Sequence, residues 1–193
     1  MFSLVTSPIW AASDSSWRDC RVPPAPGLVI CDPANLCAEA IEASVQKHTT
    51  WQVECATTDL ELAACTAAER GARAIVFDSQ RDTPKAVSQT VGRLRALYPV
   101  GALMLLTAHD GAAFMRSAIA AGVAVCVHKR DALADLRCAL EALTEGRQYC
   151  SPTVMEIFTR YGSVVPLKED CTRAPRLRPT RRHSGNPLRV QAV

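Results

Sequence analysis

Ala74-Ile75-Val76-Phe77-Asp78 is the stretch on which the fold turns: four apolar residues, then an acid. An apolar run without polar alternation suits a strand covered on both faces, as in a parallel sheet. The same form recurs upstream as Leu28-Val29-Ile30-Cys31-Asp32 and downstream as Ala102-Leu103-Met104-Leu105-Leu106-Thr107. Val123 to Val127 is a further apolar run, with Lys129 just beyond it. Trp51 to Cys55 alternates as a strand does, through Trp51, Val53 and Cys55. Helical spacing fills the gaps. Leu36, Ala40 and Val45 mark one helix, the Ala-rich Leu60 to Ala72 a second, and Val87, Val91 and Leu94 a third. Ala112 to Ala121 is closed by Gly122, and the Leu133, Leu136, Leu140 and Leu143 stripe by Gly146, glycine being the common helix terminator. Five strand-helix repeats predict an α/β fold over residues 27–147, a doubly wound five-stranded parallel sheet with helices on both faces.

In such sheets the sites form beyond the carboxyl ends of the strands. Asp32, Asp78, Thr107 and Lys129 all fall there. Two carboxylates, a hydroxyl and an ammonium suit an acyl phosphate. One Asp is the nucleophile, the other helps to hold Mg²⁺, and the hydroxyl and ammonium bind phosphoryl oxygens. Polar residues also mark strand ends with no further role; it is the set of four, in this order, that favours the chemical reading.

Composition narrows the class. The chain has 193 residues, 48% apolar and 21% charged, which excludes wholesale disorder. No apolar run reaches the roughly 20 residues of a membrane span. The net charge of +3 hides an asymmetry: residues 168–193 carry seven basic and two acidic side chains, against a mildly acidic remainder. Nine cysteines without a C-x-x-C spacing, and four scattered histidines, read as reduced thiols rather than a disulfide framework or a zinc site. Met1 to Ala12 has no Lys or Arg ahead of its apolar part and makes a poor signal peptide, so a cytoplasmic location is expected. Residues 1–26 end in a proline-rich stretch and are expected to form a flexible extension. Residues 148–163 are expected to be a short helical linker, and 164–193 a basic, disordered tail.

Residues 27–160 resemble the receiver domain of bacterial response regulators of the NarL/LuxR type. The resemblance is carried by Leu28-Val29-Ile30-Cys31-Asp32, Ile75-Val76-Phe77-Asp78, Met104-Leu105-Leu106-Thr107-Ala108 and Val125-Cys126-Val127-His128-Lys129. Leu94-Arg95-Ala96-Leu97-Tyr98-Pro99 and Gly146 to Val154 are similar to segments common in that subgroup. The resemblance implies a flavodoxin-like sheet of strand order 2-1-3-4-5. It implies a phosphoprotein of two-component phosphorelay signalling and transcription regulation, a signalling module rather than an enzyme. By position, Asp78 is the phospho-acceptor, Asp32 and Asp78 belong to the Mg²⁺ site, Thr107 is the switch hydroxyl and Lys129 the phosphate-binding lysine. The implied partners are a sensor histidine kinase or a partner response regulator, and a second copy in a dimer.

The sequence departs from that pattern at four places. The usual second acid after the first strand is missing. Pro33 is the gap if Asp32 is the first acid, and Cys31 is the gap after a one-residue shift. The loop after Asp78 reads Ser79-Gln80-Arg81-Asp82-Thr83-Pro84, in which Arg81 is either a cation near the phosphate site or simply solvated. Cys126 stands where the subgroup has a switch aromatic. No helix-turn-helix pattern follows the receiver: Pro175, Pro179 and Pro187 forbid a long helix. The Arg-rich tail, Arg173 to Arg189, reads either as an arm making non-specific contacts to DNA phosphates or as a soluble end without a partner. A second reading of the whole chain follows: a phosphorylation-independent pseudo-receiver, binding another regulator as a scaffold. An enzyme on the same fold has no support, since the chain lacks a Gly-rich phosphate loop and any evident nucleophile–base pair.

Overall fold

The computed structural model describes residues 25–79 and 83–161. The expectations for the N-terminal extension up to residue 24, for Arg81 and for the basic tail lie outside the described residues. Twelve elements follow in strict alternation: β1 (Gly27–Cys31), α1 (Asn35–His48), β2 (Gln52–Thr57), α2 (Leu60–Arg70), β3 (Ala74–Phe77), α3 (Pro84–Leu97), β4 (Ala102–Thr107), α4 (Ala112–Ala120), β5 (Val125–His128), α5 (Leu133–Thr144), β6 (Tyr149–Cys150) and α6 (Pro152–Arg160).

The strands form one parallel sheet of order β2-β1-β3-β4-β5-β6. The expected order therefore holds, with a sixth strand added beyond β5. Successive strand side chains point to opposite faces, and the core divides accordingly. Val29, Cys31, Ile75, Phe77, Leu103, Leu105 and Cys126 face α2, α3, α4 and α6. Leu28, Ile30, Ala74, Val76, Met104, Leu106, Val125 and Val127 face α1 and α5. Every residue of β3 is buried, which is why the run beginning at Ala74 carries no polar alternation.

Local chemistry sets the helix ends. Asp59 caps α2, its Oδ1 accepting from Glu61 N at 2.8 Å and Leu62 N at 3.2 Å. Thr83 caps α3, accepting from Ala86 N at 3.1 Å, and Pro84 takes the first helical position, where no N–H is needed. Gly122 adopts φ 109°, with Gly122 N bonding Ile119 O and Val123 N bonding Ala118 O. These bonds consume Val123, so β5 starts two residues later than the apolar run suggests.

Two sequence expectations shift. Of the α1 stripe Leu36, Ala40 and Val45, only Val45 is buried; Leu36 is 78% exposed, Ala40 is exposed too, and Ala38 is the other buried residue. Within residues 148–163, expected to be a short helical linker, the structure forms β6 and then the helix Pro152–Arg160, while 162 and 163 lie outside the described residues; the helix does not act as a bare linker. Val154, Ile157 and Phe158 bury its apolar face against the sheet beside α4. Asp131 anchors its start, accepting from Thr153 N at 3.2 Å and from the Thr153 hydroxyl. The packed unit thus runs to Arg160, past the boundary at 147.

Candidate functional site

Strand order reverses between β1 and β3, each of which feeds a helix on a different face. That divergence opens a crevice at the carboxyl ends of these two strands. Asp32 follows β1 and Asp78 follows β3, so the two carboxylates stand side by side in it; Asp78 N donates to Cys31 O at 3.0 Å across the strand pair. Lys129 arrives from the end of β5. Its backbone N–H donates to Thr107 O at 2.8 Å, extending the β4–β5 ladder and fixing where the side chain starts.

The Lys129 ammonium lies 2.7 Å from Asp32 Oδ2 and 2.7 Å from Asp78 Oδ2. The remaining oxygens are held by backbone. Ala34 N donates to Asp32 Oδ1 at 2.9 Å, and Ser79 N donates to Asp78 Oδ1 at 2.7 Å. Asp32 is sealed, at 2% exposure, whereas Asp78 keeps 13% and reaches solvent. Asp78 opens into a cleft of about 1000 Å³, floored by Cys31 and Pro33 and walled by Asp59, Gln89, Thr90 and Arg93 of the α2–α3 side. The exposed acid of the pair is thus the one a donor can approach.

Two acids share one base here, and the electrostatics follow. Burial pushes the Asp78 carboxyl above its ordinary range, opposed by its bonds to Lys129 and Ser79 N and reinforced by the Asp32 charge. Burial alone would lower Lys129, but its bonds to Asp32 and Asp78 outweigh that and raise it. Lys129 therefore stays an ammonium, and Asp78 is the acid under strain. Cys31 is pushed up to about 11 by burial and by Asp32, Asp59, Cys55 and Asp78, so its thiol stays protonated beside the cleft.

Thr107 lies at the same sheet edge, buried at the end of β4. Its hydroxyl accepts from His109 N at 3.1 Å and so organises the β4–α4 loop. The structure thus joins Asp32, Asp78 and Lys129 by direct contacts and places Thr107 one strand away. One cluster escaped the sequence reading. His128 is buried; its Nδ1 accepts from Arg130 N at 3.1 Å and its Nε2 lies 3.3 Å from Asp110 Oδ1. The Arg130 guanidinium pairs with the same carboxylate. Asp110 comes from the β4–α4 loop and Arg130 from the β5–α5 loop, so the two loops flanking Lys129 are tied together. A lone histidine at a strand end gives no sequence signal for this.

Mg²⁺ takes oxygen ligands and is commonly held by one or two carboxylates, with water and phosphate oxygens completing the shell. Asp32 and Asp78 meet that minimum. Among the described residues no group of three or more His, Cys, Asp or Glu side chains gathers around a common point. The third charge beside the pair is an ammonium, and Pro33, next to Asp32 in the chain, offers no carboxylate.

Comparison with known structures identifies the fold as that of a response-regulator receiver domain. The isolated REC domain of RcsB from Salmonella enterica serovar Typhimurium, solved with the phosphomimetic BeF3-, matches with a TM-score of 0.62 at 18% identity, covering 69% of this chain and 98% of that one. A LuxR-family two-component response regulator from Aurantimonas sp. matches with a TM-score of 0.62 at 20% identity, covering 72% of this chain and 98% of that one. An RcsB response-regulator structure from Salmonella typhimurium, concerned with DNA interaction, matches with a TM-score of 0.64 at 18% identity, covering 72% of this chain. This chain spans 67% of the length of that protein. No family model matches the sequence, and no curated protein matches it significantly. Among the described residues, no helix is long and apolar enough to cross a membrane.

Proposed function

We propose that the chain is a phosphoryl-accepting receiver module of two-component signalling, with Asp78 as the acceptor. The observation that carries this reading is the Lys129 ammonium at 2.7 Å from Asp78 Oδ2, with Asp78 itself lining an open cleft. The Asp78 carboxylate attacks the phosphorus of a phosphohistidine or a small acyl phosphate. The P–N or P–O bond of the donor breaks, and the leaving group departs with that electron pair. Lys129 then faces the new phosphoryl oxygens and balances their charge. The Thr107 hydroxyl, which accepts from His109 N, keeps its own O–H as a further donor to the phosphoryl group. When bound, Mg²⁺ would be held by Asp32 and Asp78 and would neutralise phosphoryl charge. With one acid fewer than the family pattern its affinity is low, and Lys129 carries a larger share. The module is not an enzyme acting on an external metabolite. A sensor histidine kinase supplies the phosphoryl group, a second copy or a partner regulator is the output contact, and the cytoplasm is the compartment where such partners meet.

A second reading rests on a specific observation. Lys129 already pairs with both Asp32 and Asp78 without any phosphate or metal. A site that satisfied supports a scaffold that binds another regulator whether phosphorylated or not. Phosphate-affinity electrophoresis after incubation with acetyl phosphate and Mg²⁺ separates the two. A retarded band present in the wild type and lost in Asp78→Ala supports the acceptor; no retarded band up to high Mg²⁺ leaves the scaffold.

A further inference from the structure

We propose that Cys126 and Cys150 are a redox-active pair that closes to a disulfide between the last two strands of the sheet. The two residues are register partners on β5 and β6. Adjacent strands run about 4.8 Å apart, within the roughly 4.4–6.8 Å of Cα separation that a disulfide spans. Both side chains enter the same apolar cluster, beneath α4 and α6, so they lie on one face of the sheet. Both are free thiols. Among the described residues no other two cysteines are register partners: Cys55 stands opposite Val29, and Cys31 opposite Thr57.

Access is graded across the pair. Cys126 is fully enclosed, and the neighbouring Cys150 together with burial holds its thiol well above the ordinary range, so it does not start the reaction. Cys150 is 9% exposed and sits on the outermost strand. That strand has two residues, tied to β5 and its approach through Tyr149 N to Ala124 O at 3.2 Å and Ser151 N to Cys126 O at 3.0 Å. So short an edge opens locally far more readily than the sheet behind it.

The oxidant is a low-molecular-weight disulfide. The Cys150 thiolate attacks one of its sulfurs, forming a mixed disulfide and releasing one thiolate, which takes up the Cys150 proton. Cys126 then attacks the Cys150 sulfur, displaces the second small thiolate and passes it the Cys126 proton. Two protein thiols and one small disulfide become one protein disulfide and two small thiols. The product straps β6, and α6 behind it, to the strand that ends at Lys129. His128 N already donates to Ser151 Oγ at 3.0 Å along the same seam, so the strap tightens an existing path toward the acid site.

The test uses the full chain, held folded in glutathione buffers of increasing oxidised fraction, then alkylated in denaturant and digested with trypsin. Residues 117–129 and 148–160 each form a tryptic peptide holding a single cysteine, Cys126 and Cys150. The expected result is one linked species of these two peptides, with a higher melting temperature for the oxidised protein. Both effects are absent in Cys150→Ser and in Cys126→Ala. Recovery of both peptides fully alkylated at every ratio overturns the proposal. So does glutathione retained on Cys150 without the link, or a link that forms only in denatured protein. None of these outcomes depends on phosphorylation of Asp78.

Discussion

Lys129 Nζ stands 2.7 Å from Asp78 Oδ2, and the same ammonium makes an equally short contact to the sealed carboxylate of Asp32. One cation thus serves two anions of unequal exposure. The buried acid fixes the lysine in place, and the more exposed acid faces the cleft. The arrangement is charge-deficient by one positive unit, which is why burial lifts Asp78 rather than Lys129 yielding its proton.

Removing the lysine leaves Asp32 charged and buried without its partner. Breaking one side of a buried ion pair costs about 3 kcal/mol or more. Lys129→Met is expected to lower the unfolding free energy from urea melts by that order. Lys129→Arg, which keeps the charge, is expected to lose less. An unchanged midpoint in Lys129→Met counts against the buried pair.

Asp78 should destabilise the fold at neutral pH. Its folded carboxyl titrates above its unfolded value, so the folded state binds the proton more tightly. Stability then falls as pH rises from the unfolded value through the folded one, and stays reduced above it. Asp78→Asn removes that cost and leaves Lys129 paired with Asp32. The variant is expected to melt higher than wild type at pH 7, with the gap closing in acid, as read by thermal unfolding across pH.

Asp131 has the opposite sign. Burial would raise it, but its hydrogen bonds to the Ser151 and Thr153 side chains and to the Thr153 and His128 backbone lower it overall. Its contribution is present above the unfolded carboxyl value and is lost as pH falls through the lower, folded one. Asp131→Ala is expected to cost about 1 kcal/mol. Faster amide exchange in α6 than in β1 or β3 checks that the loss is local.

Tyr98 and Gly101 make a packing pair at the far end of the sheet. The Tyr98 hydroxyl donates to Ala72 O at 2.5 Å, and a Cβ placed on Gly101 would lie 1.6 Å from that hydroxyl. Tyr98→Phe is expected to cost about 1–2 kcal/mol, the price of an unpaired buried carbonyl. Gly101→Ala must move the ring and is expected to cost more, in a region remote from phosphorylation. Denaturant melts rank the two.

Much of the fold was legible because the strands obey one rule. Runs such as Ala74 to Phe77 are apolar on both faces, and each is followed by a polar residue at the carboxyl edge of the sheet. The strand order came only with the resemblance, since no periodicity specifies which parallel strands pair. β6 was missed because two residues, Tyr149 and Cys150, make no pattern; the free edge of β5 recruits them. Leu36 misled because it keeps helical spacing yet lies on the outer side of the first turn. Asp32, Asp78 and Lys129 were legible as strand-end residues. The ammonium bridging both acids was not, because β5 reaches the crevice only through the sheet order. Nor was the Asp110–His128–Arg130 tie, which joins two loops that no sequence spacing brings together.

The measurement that bears most directly on Asp78 as acceptor is borohydride trapping after incubation with acetyl phosphate. Borohydride reduces an acyl phosphate on aspartate to homoserine. Trypsin releases residues 74–81 as one peptide, in which Asp78 is the single acid. The expected result is homoserine at position 78, absent without acetyl phosphate and diminished in Lys129→Met. An unmodified peptide 74–81 in protein shown to be folded, or reduction at another carboxylate, contradicts the acceptor role.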